Sequence, residues 1–181
     1  MPMLRPPGAV AESEFARLCV ACGQCAGVCS FGSIVLDTGV NPLGAGLPRV
    51  EPKRTPCWLC MRCGPACPTE ALRVVDKHEA AMGTAVIDRE RCYTYGGTIL
   101  CRTCFERCPL KARAIELDEK LRPVITKQCV GCGVCEHVCP AHCIETFPAG
   151  TKPPEGAQRT NARNSQERPG LLGLLARMFL A

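Results

Sequence analysis

The sequence predicts an α+β fold in which short strands and short helical turns surround four cysteine-rich loops. The chain of 181 residues contains 17 cysteines, whereas aromatic residues make up only 4% of it. Sixteen of these cysteines fall into four runs, at residues 19–29, 57–67, 92–108 and 129–139. The bulky side chains are too few to fill an ordinary hydrophobic core. We therefore expect inorganic groups bound by the cysteines to replace part of that core.

The fourth run has the spacing that identifies its chemistry most directly. Residues 129–140 read CVGCGVCEHVCP, which is the pattern C-x2-C-x2-C-x3-C followed by proline. Bacterial ferredoxins bind a [4Fe-4S] cluster with this run, and its fourth cysteine reaches across to a second cluster. Gly131 and Gly133 allow the sharp turns that such a loop requires. One run of this kind therefore implies a partner run.

The other three runs keep the same ligand set with small departures. Ser30 stands in the first run where proline is usual, and eight residues separate Cys92 from Cys101 in the third. Gly96 and Gly97 would let this long loop double back and return its ligand. The sequence thus predicts four [4Fe-4S] clusters held by sixteen cysteines. These are Cys19, Cys22, Cys25, Cys29, Cys57, Cys60, Cys63, Cys67, Cys92, Cys101, Cys104, Cys108, Cys129, Cys132, Cys135 and Cys139. Cys143 is left over, and we expect it to be a buried or free thiol beside a cluster.

Secondary-structure signals between the runs repeat the same unit. A short helix is predicted at residues 11–18, before the first run. Strands are predicted at residues 34–36, 71–75, 85–88, 114–117, 123–126 and 143–147. Strand, cysteine loop, helical turn and strand recur at intervals of roughly 30 to 40 residues, which is half of a ferredoxin each time. Residues 1–147 therefore predict two tandem bacterial-ferredoxin-like modules.

The rest of the chain differs in composition. Residues 148–170 are rich in Pro, Gly, Asn, Gln and Arg, which predicts a flexible linker. Residues 171–181 read LLGLLARMFLA and predict a short apolar helix. It is too short to span a bilayer, so contact with a membrane surface and packing against the domain are the two alternatives.

The net charge and the number and spacing of the cysteines argue against several classes of protein. The formal net charge is +5 with neutral thiols. Four clusters with sixteen thiolates would bring it to about −3, so the basic balance says little about partners, and we expect no nucleic-acid partner. The odd cysteine count and the close spacing oppose a disulfide framework. A zinc-binding structural or adaptor module is the alternative, although zinc sites usually take their ligands as two separated pairs.

The predicted clusters also indicate the type of function. An iron-sulfur cluster saturated by four thiolates has no open position for substrate, and the sequence contains no nucleotide-binding or catalytic-triad pattern. We therefore expect an electron-transfer protein or subunit that is not itself an enzyme.

The sequence resembles the NapG/MauM family of ferredoxin-type proteins over about residues 4–147. The most specific likeness is the third run with its long gap. The matching stretches are RPPGA at 5–9, FARLCVACGQC at 15–25, PCWLC at 56–60, CPTEAL at 67–72 and MGTAVIDRERCYTYGGTILCRTCFERCPL at 82–110.

This resemblance implies four [4Fe-4S] clusters and a redox partner. The expected donor is a membrane-bound, quinol-oxidising ferredoxin-type protein, and the acceptor is a terminal reductase or an oxidase system, as in amine oxidation. The family implies a periplasmic location. Its members generally carry a twin-arginine export signal, which this sequence does not show, so a cytoplasmic location is the alternative. Similar four-cluster subunits pair the first run with the fourth and the second with the third. We expect that nested pairing, with sequential pairing as the alternative.

Overall fold

The computed structural model describes residues 3–37 and 46–153. Within them the chain forms helices of at most seven residues and strands of at most five. In chain order these are α1 (Glu12–Leu18), α2 (Gln24–Gly27), β1 (Ile34–Leu36), β2 (Pro48–Val50), a 3-10 turn (Lys77–Glu79), β3 (Gly83–Ile87), α3 (Thr103–Arg107), β4 (Ile115–Leu117), β5 (Pro123–Ile125), α4 (Val134–His137) and β6 (Ile144–Pro148). Such short elements agree with the predicted ferredoxin-like class.

The second half of the described chain is one closed unit, which we call the second module. Its opening strand β3 pairs antiparallel with its closing strand β6, from Gly83↔Pro148 to Ile87↔Ile144. Between them, β4 and β5 form a hairpin. The third cysteine run lies between β3 and β4, and the fourth lies between β5 and β6. Residues 83–148 therefore close around the third and fourth runs.

The first half repeats this plan with fewer paired residues, and we call it the first module. The β1–β2 hairpin corresponds to β4–β5, and the outer pair is reduced to the single bridge Ala9↔Leu72. The strand predicted at 71–75 is therefore wrong beyond Leu72. Its partner segment contains Pro6 and Pro7, which have no N–H for a ladder. Strand β2 was not predicted, because it begins within a stretch rich in proline and glycine.

The C-terminal predictions fall largely outside the described residues. Strand β6 includes Pro148, so the ferredoxin-like region ends one residue later than predicted. The linker predicted at 148–170 is described only to residue 153, and the helix predicted at 171–181 lies outside the described residues. In the part of the chain that is described, no helix is long and apolar enough to cross a membrane.

The two modules join through the second and fourth cysteine runs. The backbone N–H of Cys57 donates to the carbonyl oxygen of Cys132 at 2.9 Å. At Gly133, the N-cap of α4, an added Cβ would lie 2.5 Å from Pro52 Cβ, so the two loops approach too closely for a side chain. Val134 is fully buried in a core that also contains residues of the first module.

We predict that Gly133→Ala destabilises the protein more than Gly23→Ala. Both glycines cap the helix of a cysteine run with positive φ, 80° and 75°, so alanine costs about 1–2 kcal/mol of backbone strain at either. At Gly133 the new methyl collides with Pro52. At Gly23 the methyl has room, because the nearest atom is Leu36 Cδ1 at 3.5 Å. If the collision costs about 1 kcal/mol, the apparent Tm of the loaded protein falls by about 2–4 °C more for Gly133→Ala. Equal shifts in a thermal scan would contradict this module contact.

Candidate metal centres

Site 1 is a cavity lined by three cysteines of the first run and the last cysteine of the second run. Cys19, Cys22 and Cys25 face it from the first run, and Cys67 reaches it from the second. The lining atoms leave about 330 Å³ of empty space between them. Burial raises the pKa of Cys25 to about 11, and the proximity of Cys19 and Cys22 adds to the effect. The three cysteines of the first run thus influence one another electrostatically, and Cys67 lines the same cavity.

Site 3 has the same composition in the second module. Cys92, Cys101 and Cys104 of the third run face a cavity with Cys139 of the fourth run, and its empty space is again about 330 Å³. Burial raises the pKa of Cys104 to about 12, with further contributions from the other three cysteines. The equal composition of the two sites, three cysteines from one run and one from its paired run, indicates that sites 1 and 3 suit the same occupant.

The long loop of the third run doubles back as predicted. Gly97 has φ 71°, and Cys92 is buried at the cavity. Thr94 ties the two ends of the loop together: its hydroxyl donates to the carbonyl oxygen of Cys101 at 2.7 Å and accepts from the N–H of Cys101 at 2.9 Å. Sequence reasoning missed Thr94, because one threonine in a loop forms no recognisable pattern.

Site 4 gathers the first three cysteines of the fourth run and the last cysteine of the third. Burial raises the pKa of Cys132 to about 12, with contributions from Cys129 and Cys108. The pKa of Cys135 is raised well above its ordinary value by complete burial, and the same neighbours add to the shift. The N–H of Ala85 donates to Cys129 Sγ at 3.4 Å, which fixes this sulfur against strand β3.

Site 2 contains the first three cysteines of the second run, and we assign Cys29 to it because the last cysteines of the other runs lie at sites 1, 3 and 4. Burial raises the pKa of Cys57 to about 12 and that of Cys63 to about 11, with Cys60 close to both. These three thiols belong to one loop, and Cys29 packs on the same core as Cys57 and Cys63.

Contacts on both sides of Cys29 hold it against the second run. Ser33 Oγ donates to the carbonyl oxygen of Pro56 at 2.6 Å, and the guanidinium of Arg62 donates to Ser30 Oγ at 2.8 Å. The serine that replaces the usual proline therefore links the two runs. This departure from the ferredoxin pattern does not displace Cys29.

The four sites pair the runs in sequence, first with second and third with fourth. The expected nested pairing is wrong, since Cys67 lies with the first run and Cys139 with the third. The physical reason is strand pairing: the Ala9↔Leu72 bridge and the β3–β6 ladder each close a module over two consecutive runs.

Close cysteine pairs give the order in which the sites adjoin. Each pair consists of cysteines from two different sites, close enough for one to raise the pKa of the other. The pairs are Cys25 with Cys63, Cys57 with Cys132, and Cys104 with Cys135. The sites therefore follow one another in the order 1, 2, 4 and 3, and the step from site 2 to site 4 crosses the contact between the modules.

Hydrogen bonds lower the pKa of the last cysteine of the first run and of the second run. The N–H of Ser33 donates to Cys29 Sγ at 3.4 Å, and the N–H of Leu72 donates to Cys67 Sγ at 3.4 Å. Burial acts to raise the pKa of both thiols, but the hydrogen bonds outweigh it and each pKa is lowered. The last cysteine of the first and second runs is thus prepared to be a thiolate, the form that binds metal.

The loops hold a wrapped conformation even where glycine is absent. Gly131 and Gly133 have φ of 72° and 80°, as their positions predicted. Leu59 and Met61 occupy the corresponding places in the second run with φ of 55° and 58°. This conformation costs about 1–2 kcal/mol for each residue that has a side chain. The group that the loop surrounds therefore sets the loop's conformation, and the backbone preferences of its residues do not.

The donor set fits a cluster better than a single zinc ion. Four sulfurs bound to one zinc at about 2.3 Å lie roughly 3.8 Å from one another. Among residues 3–37 and 46–153, no three His, Cys, Asp or Glu side chains are arranged to hold a single ion in this way. Cysteines spread around a cavity instead suit a [4Fe-4S] core, which takes one thiolate at each iron.

The seventeenth cysteine lies within site 3, as its position beside a ligand predicted. Cys143 lines the cavity and is only 4% exposed, and its Sγ is 3.5 Å from Cys139 Sγ. The hydrogen bond between them lowers the pKa of Cys139 to about 5 and raises that of Cys143. Cys139 is therefore the thiolate of the pair, and Cys143 keeps its proton.

Comparison with known proteins identifies the family. A family model described as a 4Fe-4S dicluster domain matches residues 18–71 and 56–112. The ferredoxin-type protein NapG of Escherichia coli K12 is 37% identical over 152 residues, which are 75% of this chain and 65% of that protein. The methylamine utilization ferredoxin-type protein MauM of Methylorubrum extorquens is 36% identical over 149 residues, 75% of this chain and 67% of that protein.

The chain belongs to the NapG/MauM family of ferredoxin-type proteins. A second MauM, from Methylobacillus flagellatus, is 37% identical over 150 residues, 76% of this chain and 64% of that protein. The chain thus spans slightly less than two thirds of the E. coli NapG and of this MauM. The family confirms the resemblance drawn from the sequence, and the family model confirms its [4Fe-4S] class.

The two family-model matches differ in how they relate to the modules. Residues 18–71 contain the first and second runs and coincide with the first module. Residues 56–112 join the second run to the third, although the strands and cavities place the module boundary between them. Strand pairing is the stronger criterion, because all four runs have similar spacing and a sequence match can begin at any of them.

We predict that double serine variants distinguish the two pairings. Cys22→Ser with Cys67→Ser removes two ligands of site 1, so it disturbs one cluster and leaves about 12 iron atoms of about 16 intact. Cys60→Ser with Cys67→Ser removes one ligand from each of two sites and disturbs two clusters. Iron analysis and EPR of anaerobically prepared protein give the count. Nested pairing would make the first variant lose two clusters as well.

We also predict that removing iron unfolds the protein. The cores are built from cysteines and small apolar residues, with Phe15 the only fully buried aromatic side chain in the described part of the chain. Without metal, close thiols lose the bonds that hold the loops together. Chelation should abolish the far-ultraviolet circular dichroism signal and enlarge the hydrodynamic radius, and reconstitution should reverse both. A compact chain with native dichroism after complete iron removal would contradict this.

Proposed function

We propose that this chain is a non-catalytic electron-transfer protein carrying four [4Fe-4S] clusters, one at each of sites 1 to 4. The observation that carries the proposal is the grouping of sixteen cysteines into four sites, each with three from one run and one from its paired run. A bound cluster supplies one-electron redox chemistry and, with four thiolate ligands, offers substrate no open coordination position.

The residues of the chain bind the clusters, shield them from water and set the order in which the sites adjoin. The sixteen thiolates hold the clusters, and buried side chains such as Phe15, Ile115 and Val134 exclude water from the cores around them. Because the sites adjoin in the order 1, 2, 4 and 3, this arrangement supports a relay with sites 1 and 3 as its two ends.

Exposed apolar side chains flank the two end sites, and Cys60 at site 2 is exposed too. Val20 beside site 1 is 65% exposed, and Ile99 and Leu100 beside site 3 are 56% and 57% exposed. At site 4, by contrast, Cys132 and Cys135 are buried. Apolar side chains exposed next to a redox centre suit transient docking of a partner protein. We propose that redox partners contact the chain at sites 1 and 3.

The family supports a proposal for the partners themselves. The donor would be a membrane-bound, quinol-oxidising ferredoxin-type protein, and the acceptor a terminal reductase or an oxidase system. The MauM relatives are named for methylamine utilization, which supports an amine-oxidising system as one possibility. Residues 171–181 would provide contact with the membrane surface. A periplasmic location belongs to this proposal, and fractionation of cells producing the full chain decides between periplasm and cytoplasm.

We predict that anaerobically purified protein contains about 16 iron and about 16 acid-labile sulfide per chain, with a visible absorption band that dithionite bleaches. A value near 12 iron would mean that one of the four sites does not hold a cluster. Zinc in place of iron, in a colourless protein that keeps its fold in air, would replace the proposal with a structural or adaptor module.

A further inference from the structure

Each cysteine run is followed by one buried residue that directly precedes a strand or bridge residue. These four positions are equivalent in the two modules, and each is at most 4% exposed. They are Ser33, Ala71, Ala114 and Cys143. Each position follows the last cysteine of its run, whose sulfur completes the partner site, by four residues in three runs and by six in the third. The residue type there determines whether a side-chain hydrogen can reach that sulfur.

Cys143 differs from the other three positions because its side chain places a thiol beside ligand sulfur. Ala71 and Ala114 have no donor, and the hydroxyl of Ser33 donates to the carbonyl oxygen of Pro56 at 2.6 Å. Cys143 Sγ lies 3.5 Å from Cys139 Sγ, within hydrogen-bonding distance for two sulfur atoms. Site 3 therefore has a feature that its counterpart in the first module lacks.

The direction of this hydrogen bond follows from the role of Cys139. A cysteine that binds iron is a thiolate and has no hydrogen to donate. The hydrogen must then come from Cys143, whose burial favours the neutral thiol. A donor aimed at ligand sulfur stabilises the additional negative charge of a reduced cluster, and hydrogen bonds to sulfur are among the factors that set cluster potentials.

We propose that Cys143 is a positioning residue that donates an S–H···S hydrogen bond to Cys139 and thereby raises the reduction potential at site 3. The inference rests on the proposed function, because it requires a cluster at this site. Reduction places one electron on the centre, and the hydrogen remains on Cys143. At the equivalent position of site 1, Ala71 offers no thiol, and the side chain near Cys67 Sγ is instead the hydroxyl of Thr69 at 3.7 Å.

Cys143→Ala tests the proposal because it removes the thiol and leaves at site 3 the residue that site 1 has at the equivalent position. EPR-monitored redox titration of the four-cluster protein should show one centre at lower potential than in the unaltered protein, with iron and sulfide content unchanged. Cys143→Ser keeps a hydrogen-bond donor and should restore part of the loss. An unchanged set of potentials would overturn the proposal. Loss of one cluster in Cys143→Ala would also overturn it, since Cys143 would then be a ligand.

The reciprocal variant gives an independent test. Ala71→Cys places a thiol behind Cys67, and it should raise the potential of one centre that Cys143→Ala does not move. A shift in the same centre, or in none while all iron is retained, would contradict the proposal. Absence of iron and sulfide from the unaltered protein is a separate outcome, which removes the proposed function itself.

Discussion

Negative charge concentrated in a small, poorly hydrated volume is the constraint on which this fold depends. Burial raises the pKa of Cys57, Cys104 and Cys132 to about 12, so without compensation these groups would remain neutral thiols. Iron in a cluster supplies the compensating positive charge and cross-links each loop. The positive φ of Leu59 and Met61 shows that the loops adopt the shape that this arrangement needs even against local preference.

Different contacts join the two ends of each module. In the second, five residue pairs of the β3–β6 ladder join the ends of the unit. In the first module, prolines restrict the outer strand pairing, and contacts of Arg5 help to close the unit instead. Its guanidinium donates to the carbonyl oxygen of Pro48 at 2.8 Å, forms an ion pair with Glu12 and lies 4.8 Å from the centre of the Phe15 ring. A buried arginine thus joins the N-terminal segment, helix α1 and the β1–β2 hairpin.

Contact between the modules makes the four sites unequal. The fourth run packs against the second, which buries Cys132, whereas Cys22 at the same position of the first run is exposed. Site 4 therefore becomes an interior centre, and sites 1 and 3 remain near the surface. Repetition of one sequence motif creates four similar sites, but their packing gives each a different environment. Differences at single positions, such as Ala71 and Cys143, add to this inequality.

The sequence by itself determined the cofactor class, the sixteen cysteines that gather at the four sites and the short elements between them. Those features are local: ligand spacing within one loop, glycines at turns and apolar alternation over three to five residues. The pairing of runs was not local, and the expected nested order was wrong. It depends on contacts such as Ala9 with Leu72 and Gly83 with Pro148, which are distant in sequence. Four runs of nearly equal spacing cannot encode which two close together. Only the tertiary structure decided that, because strand pairing and the packing of Gly133 on Pro52 bring distant segments into contact.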